Sequence, residues 1–248
     1  MKIAVAGGTG VVGRHVVTAA RAAGHESLAL SRSTGDDLMT ADGLAGRLAG
    51  VGAVIDVSST PSLSGRAAIR FFGTVTDNLI AAERAAGVPH HVALSIIGAT
   101  KAPSGLYAGK VVQEQKVMSS GGIWSILRTT QFHEFAMQTT ERLAFGGLQI
   151  VPAMRCQPIA AADLVRIAEG PPCGLETDLA GPREEDMPDL VRRYLKATGK
   201  TKPVLRLALP GLLGRAMRDG GLLPAPGARL GTHTFDQWLA AETAGSSA

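Results

Sequence analysis

The stretch Lys2-Ile3-Ala4-Val5-Ala6-Gly7-Gly8-Thr9-Gly10-Val11-Val12-Gly13-Arg14 decides how this chain is read. Lys2–Ala6 is a short apolar run, the pattern of a buried strand, and Arg14–Ala23 carries helical periodicity closed by Gly24. The glycines between them have separate tasks. Gly7 permits a tight turn, Gly10 lets the backbone approach an anion, and Gly13 lets the helix pack closely on the strand. Free N–H groups of the loop and of the helix start, together with the helix dipole, face the same anion, and Val11 and Val12 belong to this cofactor-binding turn. A strand directly before the loop and a helix directly after it separate this pattern from a chance glycine-rich turn.

Working outward, short apolar runs alternate with longer amphipathic ones. Strands are predicted at Ser27–Leu30, Ala53–Val57, His91–Ile97 and Trp124–Leu127. Helices are predicted at Leu44–Leu48, Lys110–Met118 and Ile69–Ala86, the last stopped by Gly87 with Pro89 just beyond. This rhythm predicts an α/β, Rossmann-like doubly wound parallel sheet with its ligand at the carboxyl ends of the strands. After Phe145 the rhythm loosens. A strand is predicted at Leu148–Val151 and helices at Ala161–Ala168 and Asp189–Thr198, before a Leu-, Pro-, Gly- and Arg-rich section over Val204–Gly227. The expected organisation is a single domain, with a dinucleotide-binding core over about 1–145 and a small C-terminal substrate lobe over about 146–240. A membrane-surface helix over Leu205–Met217 is disfavoured, because Pro210, Gly211 and Gly214 interrupt its period.

Bulk composition narrows the partners. The chain has 248 residues, 45% of them hydrophobic but only 4% aromatic, which suits aliphatic strands under Ala-rich helices. Its net charge of +4 comes from scattered Lys and Arg with no basic block interleaved with aromatics, so no nucleic-acid groove is indicated. No apolar run is long enough to span a bilayer, and the early glycines spoil a signal-peptide core. Cys156 and Cys173 form no C-x-x-C pair. A cytoplasmic protein acting on a small molecule, without membrane partner, as a monomer or homodimer, is therefore expected. The neighbours His90 and His91 point to opposite faces of a strand, so no metal site is expected.

The end of the second strand bears on the kind of dinucleotide. Cofactors without a 2′-phosphate usually meet an acidic residue there. Here the chain reads Leu30-Ser31-Arg32-Ser33-Thr34, with Asp36 and Asp37 further on. A guanidinium flanked by hydroxyls suits a 2′-phosphate, which favours NADP (NADPH) over NAD. The plainer alternative is that Arg32 is a solvated surface residue.

Several segments together resemble the atypical short-chain dehydrogenase/reductases of the NmrA-like kind. They are the glycine loop, Ser31-Arg32-Ser33, Asp56-Val57-Ser58-Ser59, Val92–Gly98, Lys110-Val111-Val112-Gln113-Glu114, Leu127–Phe135 and Pro158–Asp163. The resemblance runs from Lys2 to about Leu239 and includes Trp238. It implies that Asp37 and Leu38 hold the adenine, that Ser58 and Ser59 line the dinucleotide, and that Lys110 reaches the nicotinamide ribose. Thr130, Gln131 and Phe132 would lie beside the nicotinamide and the substrate.

The proton donor is less well marked. The superfamily usually supplies Ser, Tyr and Lys, with Tyr and Lys four apart on a helix. Ser95 ends a strand and Lys110 starts a helix, but Leu106 stands four before Lys110, and Tyr107 three before it. On a regular helix that shifts the phenol by roughly 100° and one residue's rise. Pro103 and Gly105 would give Tyr107 an irregular entry from which it could still turn inward. Three readings stay open. Tyr107 is the acid, with its pKa lowered by Lys110; or Lys110 acts without it, or His133 or Glu134 gives the proton; or there is no hydride transfer. The favoured function is NAD(P)H-dependent reduction of a small, mostly apolar carbonyl or activated alkene. A non-catalytic NADP sensor and a redox-neutral cyclase or isomerase are the alternatives.

Overall fold

A computed structural model describes residues 1–62, 64–145, 147–161 and 170–245. They divide into two compact units, Met1–Arg128 with Ala161–Thr177, and Thr129–Ala160 with Asp178–Ala248.

The first unit is built on parallel strands. β1 (Lys2–Ala6) lies between β2 (Glu26–Leu30) and β3 (Ala53–Asp56), followed by β4 (His91–Ile96) and β5 (Trp124–Thr129). Its interior strands read as continuous apolar runs because both faces are covered: Ile3, Ala4, Val5, Ala53, Val54 and Ile55 are fully buried. The covering helices are α1 (Val11–Ala22), α2 (Leu44–Arg47), α3 (Gly65–Ala86) and α4 (Leu106–Met118). Gly87, at φ 71°, ends α3 in the left-handed cap its position predicts. A later short strand, β9 (Gly174–Leu175), returns to pair in parallel with Ser125 and Ile126 of β5.

Three helix starts differ from the sequence reading by three residues or more. Helix α3 begins at Gly65, with Ser64 as its N-cap, rather than at Ile69. Helix α1 begins at Val11, with Gly10 as its N-cap, rather than at Arg14. Helix α4 begins at Leu106 rather than Lys110, so Tyr107 sits in a regular first turn and not in an irregular entry. Gly105, at φ 56°, supplies the abrupt turn into that helix that Pro103 and Gly105 suggested one turn later.

The second unit contains α5 (Glu134–Arg142), a three-stranded sheet of β6 (Ala144–Phe145), β7 (Leu148–Pro152) and β12 (Val204–Leu207), and the small pair β8 (Arg155–Cys156) with β11 (Glu185–Asp186). β10 (Leu179–Ala180) pairs with Thr129 and with β13 (Arg229–Leu230). Helices α6 (Met187–Ala197), α7 (Gly211–Arg218) and α8 (Phe235–Gly245) complete it. The expected stretch Leu205–Met217 is therefore a strand and a separate short helix, broken where Pro210 and Gly211 interrupt it. Of the expected helix at residues 161–168, all but Ala161 lie outside the described residues. Among the described residues no helix is long and apolar enough to cross a membrane, and no metal-ligand cluster occurs.

Candidate functional site

The loop from Gly7 to Gly13 is closed by backbone bonds: Gly7 N–H donates to the Leu30 carbonyl, Gly8 N–H to Val5 and Gly10 N–H to Gly7. Each glycine is required for a stated reason. Gly7 has φ 79°, and a Cβ there would lie 2.9 Å from the Ser58 Cα. A Cβ on Gly13 would lie 2.1 Å from the Gly7 carbonyl oxygen, so the first turn of α1 touches the loop itself rather than the strand. Gly8, to which the sequence reading gave no role, sits against Ala29 and Val5, with a Cβ 2.8 Å from each. The adjacent Gly-Gly pair was the available signal. Helix α1 has no side-chain N-cap and no acidic residue in its first turn, so its positive end keeps its amides for a ligand.

Beside this loop the chain after β2 forms a 3-10 turn at Arg32–Thr34. The Ser31 and Ser33 hydroxyls are 2.9 Å apart, and Ser33 donates to the Thr9 hydroxyl at 3.1 Å, which ties the turn to the glycine loop. Arg32 is exposed and has no ion pair among the described residues. Of the two acids that blurred the sequence reading, Asp36 is engaged away from the turn and Asp37 stays exposed. Asp36 is buried and accepts two hydrogen bonds from Arg47, and Asp37 accepts the Met39 amide. Leu38, expected at the adenine, is buried in the adjoining apolar cluster. Ser58 follows β3 beside Gly7; its hydroxyl is buried with no partner among the described residues. An open helix end, a glycine loop packed tightly on Ser58, β2 and the start of α1, and an orphaned buried hydroxyl fit a dinucleotide phosphate.

Ser95 and Lys110 point into a buried polar network in the same unit. Lys110 is 4% exposed; its ammonium donates to the Leu94 carbonyl at 2.7 Å and to Gln113 Oε1 at 2.8 Å, and lies 4.3 Å from the centre of the Phe72 ring. Gln113 in turn donates to Asp56 Oδ2, whose other oxygen accepts the Ser58 amide. Burial pushes the Lys110 pKa down to about 8 against the opposing pull of Asp56 and Glu114. Ser95 donates to Glu114 Oε1 at 2.5 Å, and Arg128 clamps the Glu114 carboxylate through two bonds. Helices α3 and α4 come this close because Gly109 has no side chain: a Cβ there would lie 2.5 Å from Phe72. Tyr107 is buried on the same helix. Asp56, Gln113, Glu114 and Arg128 carry this network, and the sequence reading gave none of them a role.

In the second unit, Thr130, Gln131 and Phe132 run beside the segment Gln157–Ile159. Thr130 donates to the Gln157 carbonyl at 2.6 Å, Ile159 N–H to Gln131, and Phe132 bridges Ile159 in parallel. His133 is 1% exposed, stacks on Trp238 and meets the edge of Phe235. Its Nε2 lies 3.1 Å from the His233 carbonyl, which can only accept, so Nε2 carries the proton. Burial holds its pKa below the usual value, only partly offset by that carbonyl. Glu134 is buried in the first turn of α5. Cys156 is buried, and burial raises its thiol far above the usual range, which leaves it inert.

No family model matches the chain, and no curated protein is significantly similar to it in sequence. Solved structures are similar in fold. An NADPH-dependent quinone oxidoreductase from Escherichia coli, solved with NADPH, is 20% identical with a TM-score of 0.68, the match covering 97% of this chain and 99% of that one. UDP-glucose 4-epimerase from Thermus thermophilus in complex with NAD is 18% identical with a TM-score of 0.70, over 99% of this chain and 100% of that one. A short-chain dehydrogenase/reductase superfamily protein from Agrobacterium tumefaciens with bound NAD is 18% identical with a TM-score of 0.65, over 100% and 97%. The chain thus has the Rossmann-type fold of the NAD(P)-binding short-chain dehydrogenases, reductases and epimerases, in line with the sequence resemblance.

Proposed function

We propose that this protein is an NADPH-preferring oxidoreductase that reduces a small, electron-poor apolar acceptor, a quinone or activated alkene. The observation that carries the reading is Arg32: an exposed guanidinium next to Ser31 and Ser33, on a turn tied to the glycine loop, with Asp36 engaged by Arg47. A 2′-phosphate would receive charge-assisted bonds there, whereas a 2′-hydroxyl would leave the Arg32 guanidinium without an anion. Gly7, Gly10, the amides of Val11, Val12 and Gly13, Ser58 and Ser59 would hold the rest of the dinucleotide, with Asp37 and Leu38 near the adenine. When bound, a nicotinamide supplies a hydride.

The choice of acceptor rests on the inward-held side chains. The Ser95 hydroxyl is engaged by Glu114, and the Lys110 ammonium by Leu94 and Gln113. Burial disfavours a charged His133, and its Nε2–H donates a hydrogen bond to the His233 carbonyl. An acceptor whose reduced form takes its proton from water makes no demand on these groups, while an unactivated ketone needs an acid at its oxygen.

The experiment is calorimetric titration with NADPH, NADP, NADH and NAD for the wild type and Arg32→Ala, followed by NADPH oxidation with a quinone and with a simple ketone. The expected result is NADPH preference that collapses about ten-fold or more in the variant, with turnover on the quinone. Equal binding of NADPH and NADH would overturn the phosphate assignment. Tight NADPH binding without turnover would favour the sensor reading, which the same inward-held Ser95 and Lys110 also suit.

A further inference from the structure

We propose that the outer face of the β6–β7–β12 sheet is a docking surface for an anionic lipid bilayer. In the observed register Phe145 opposes Leu148, Ile150 opposes Leu205, and Pro152 opposes Leu207. Strand alternation puts all six on one side, while Gln149 and Val151 point to the other and are fully buried. Four of the six are open to solvent: Phe145 is 77% exposed, Leu148 41%, Leu205 50% and Leu207 42%. Together they form a row of exposed apolar side chains on one face of the sheet, the kind of clustering that an interaction site shows and scattered surface leucines do not.

The charge beside this face says what covers it. Lys202 lies two residues before β12, at the end of the sheet where Val204 pairs with Gln149 and Phe145 with Leu148. There Lys196, Lys200 and Lys202, with Arg192, line a cleft of about 230 Å³ at the end of α6. None of the three lysines has an ion pair among the described residues. The carboxylates nearby are taken: Asp189 by Arg192 and Asp186 by Arg206. Glu141 and Arg142, adjacent at the end of α5, add no net charge there. An uncharged apolar face with a basic cluster at one end is complementary to headgroup phosphates over acyl chains. A second copy of the chain would instead bring the same three cations to the contact. The sequence pattern hid this surface because Leu205 and Leu207 repeat at period two, on a strand, and not on the interrupted helix that was considered there.

The test is co-sedimentation of the full chain with mixed phosphatidylcholine–phosphatidylserine vesicles and with pure phosphatidylcholine vesicles, with light scattering in parallel. Circular dichroism and NADPH titration would serve as fold controls. The wild type is expected to bind the mixed vesicles, and salt is expected to release it. Lysines near an anionic surface each contribute about a five-fold gain in partition, so Lys196→Gln/Lys200→Gln/Lys202→Gln is expected to lose about a hundred-fold. Phe145→Ser/Leu205→Ser is expected to lose binding while both controls stay unchanged. Failure of the wild type to bind, or binding that survives both sets of substitutions, would overturn the proposal. So would a dimer that Leu205→Ser dissociates without any vesicle binding, which would assign the face to a second copy.

Discussion

Adding a single methyl group at Gly13 tests the phosphate cradle directly. Gly13→Ala places a carbon 2.1 Å from the Gly7 carbonyl oxygen and 2.7 Å from the Gly8 Cα, both backbone atoms that no rotamer change can move aside. Two effects oppose each other. Alanine in a helix is favoured over glycine by about 1 kcal/mol, and overpacking against backbone costs about 3 kcal/mol, at the upper end of its usual range. The clash wins by about 2 kcal/mol, which lowers the Tm by about 4–8 °C for a chain of this size. Relief of the contact moves the loop or the helix start by about 1 Å, enough to break a hydrogen bond from a first-turn amide to a phosphate, and NADPH affinity falls at least ten-fold. Gly46→Ala is the control. It lies in a helix with nothing within 4 Å of the new carbon, so the same change is expected to stabilise slightly and leave binding untouched. Calorimetry and NADPH titration of both variants decide the matter. A Gly13→Ala protein with unchanged Tm and unchanged affinity would refute the close approach and the phosphate assignment built on it.

Two further changes probe the buried network. In the unfolded chain Lys110 keeps its proton to about its ordinary 10.5, whereas burial makes the folded protein release it near 8. Between those values the unfolded chain binds more protons, so stability is expected to rise with pH across that window, by on the order of 3 kcal/mol. Denaturant titrations at several pH values should lose this rise in Lys110→Met, and an unchanged slope would show that Lys110 is not its source. Glu114→Gln leaves Arg128 without its carboxylate. Because Arg128 is partly exposed and can turn to water, the expected loss is about 2–3 kcal/mol, below what breaking a fully buried pair costs; chemical denaturation measures it, and a loss under 1 kcal/mol would mean that the clamp contributes little.

The glycine turn and the parallel strands were legible because local sequence dictates them: apolar runs and glycines at fixed spacing leave few alternatives. The exposed turn that carries Arg32 was legible for the same reason, lying two residues past a predicted strand. The network around Lys110 was not. On α4 the buried residues include the polar Lys110, Gln113 and Glu114, which a periodicity argument assigns to solvent. Their partners Asp56, Leu94 and Arg128 come from three different strands, and no local pattern announces such a meeting. Asp36 misled for a related reason, since its pairing with Arg47 depends on where a short helix falls eleven residues later.

The return of the chain to β5 has a consequence for biosynthesis. β9 joins Ser125 and Ile126 only after the chain has passed through more than thirty residues of the second unit, from Thr129 to Ala160. At translation speeds of about 5–20 residues per second, the stretch from Arg128 to Leu175 takes a few seconds to emerge. During that interval this stretch of β5 presents unpaired backbone groups that would otherwise meet β9, a template for pairing with other nascent chains. A fragment ending at Arg128 keeps that edge bare for good. It is therefore expected to aggregate during expression even though every residue of the glycine cradle is present in it.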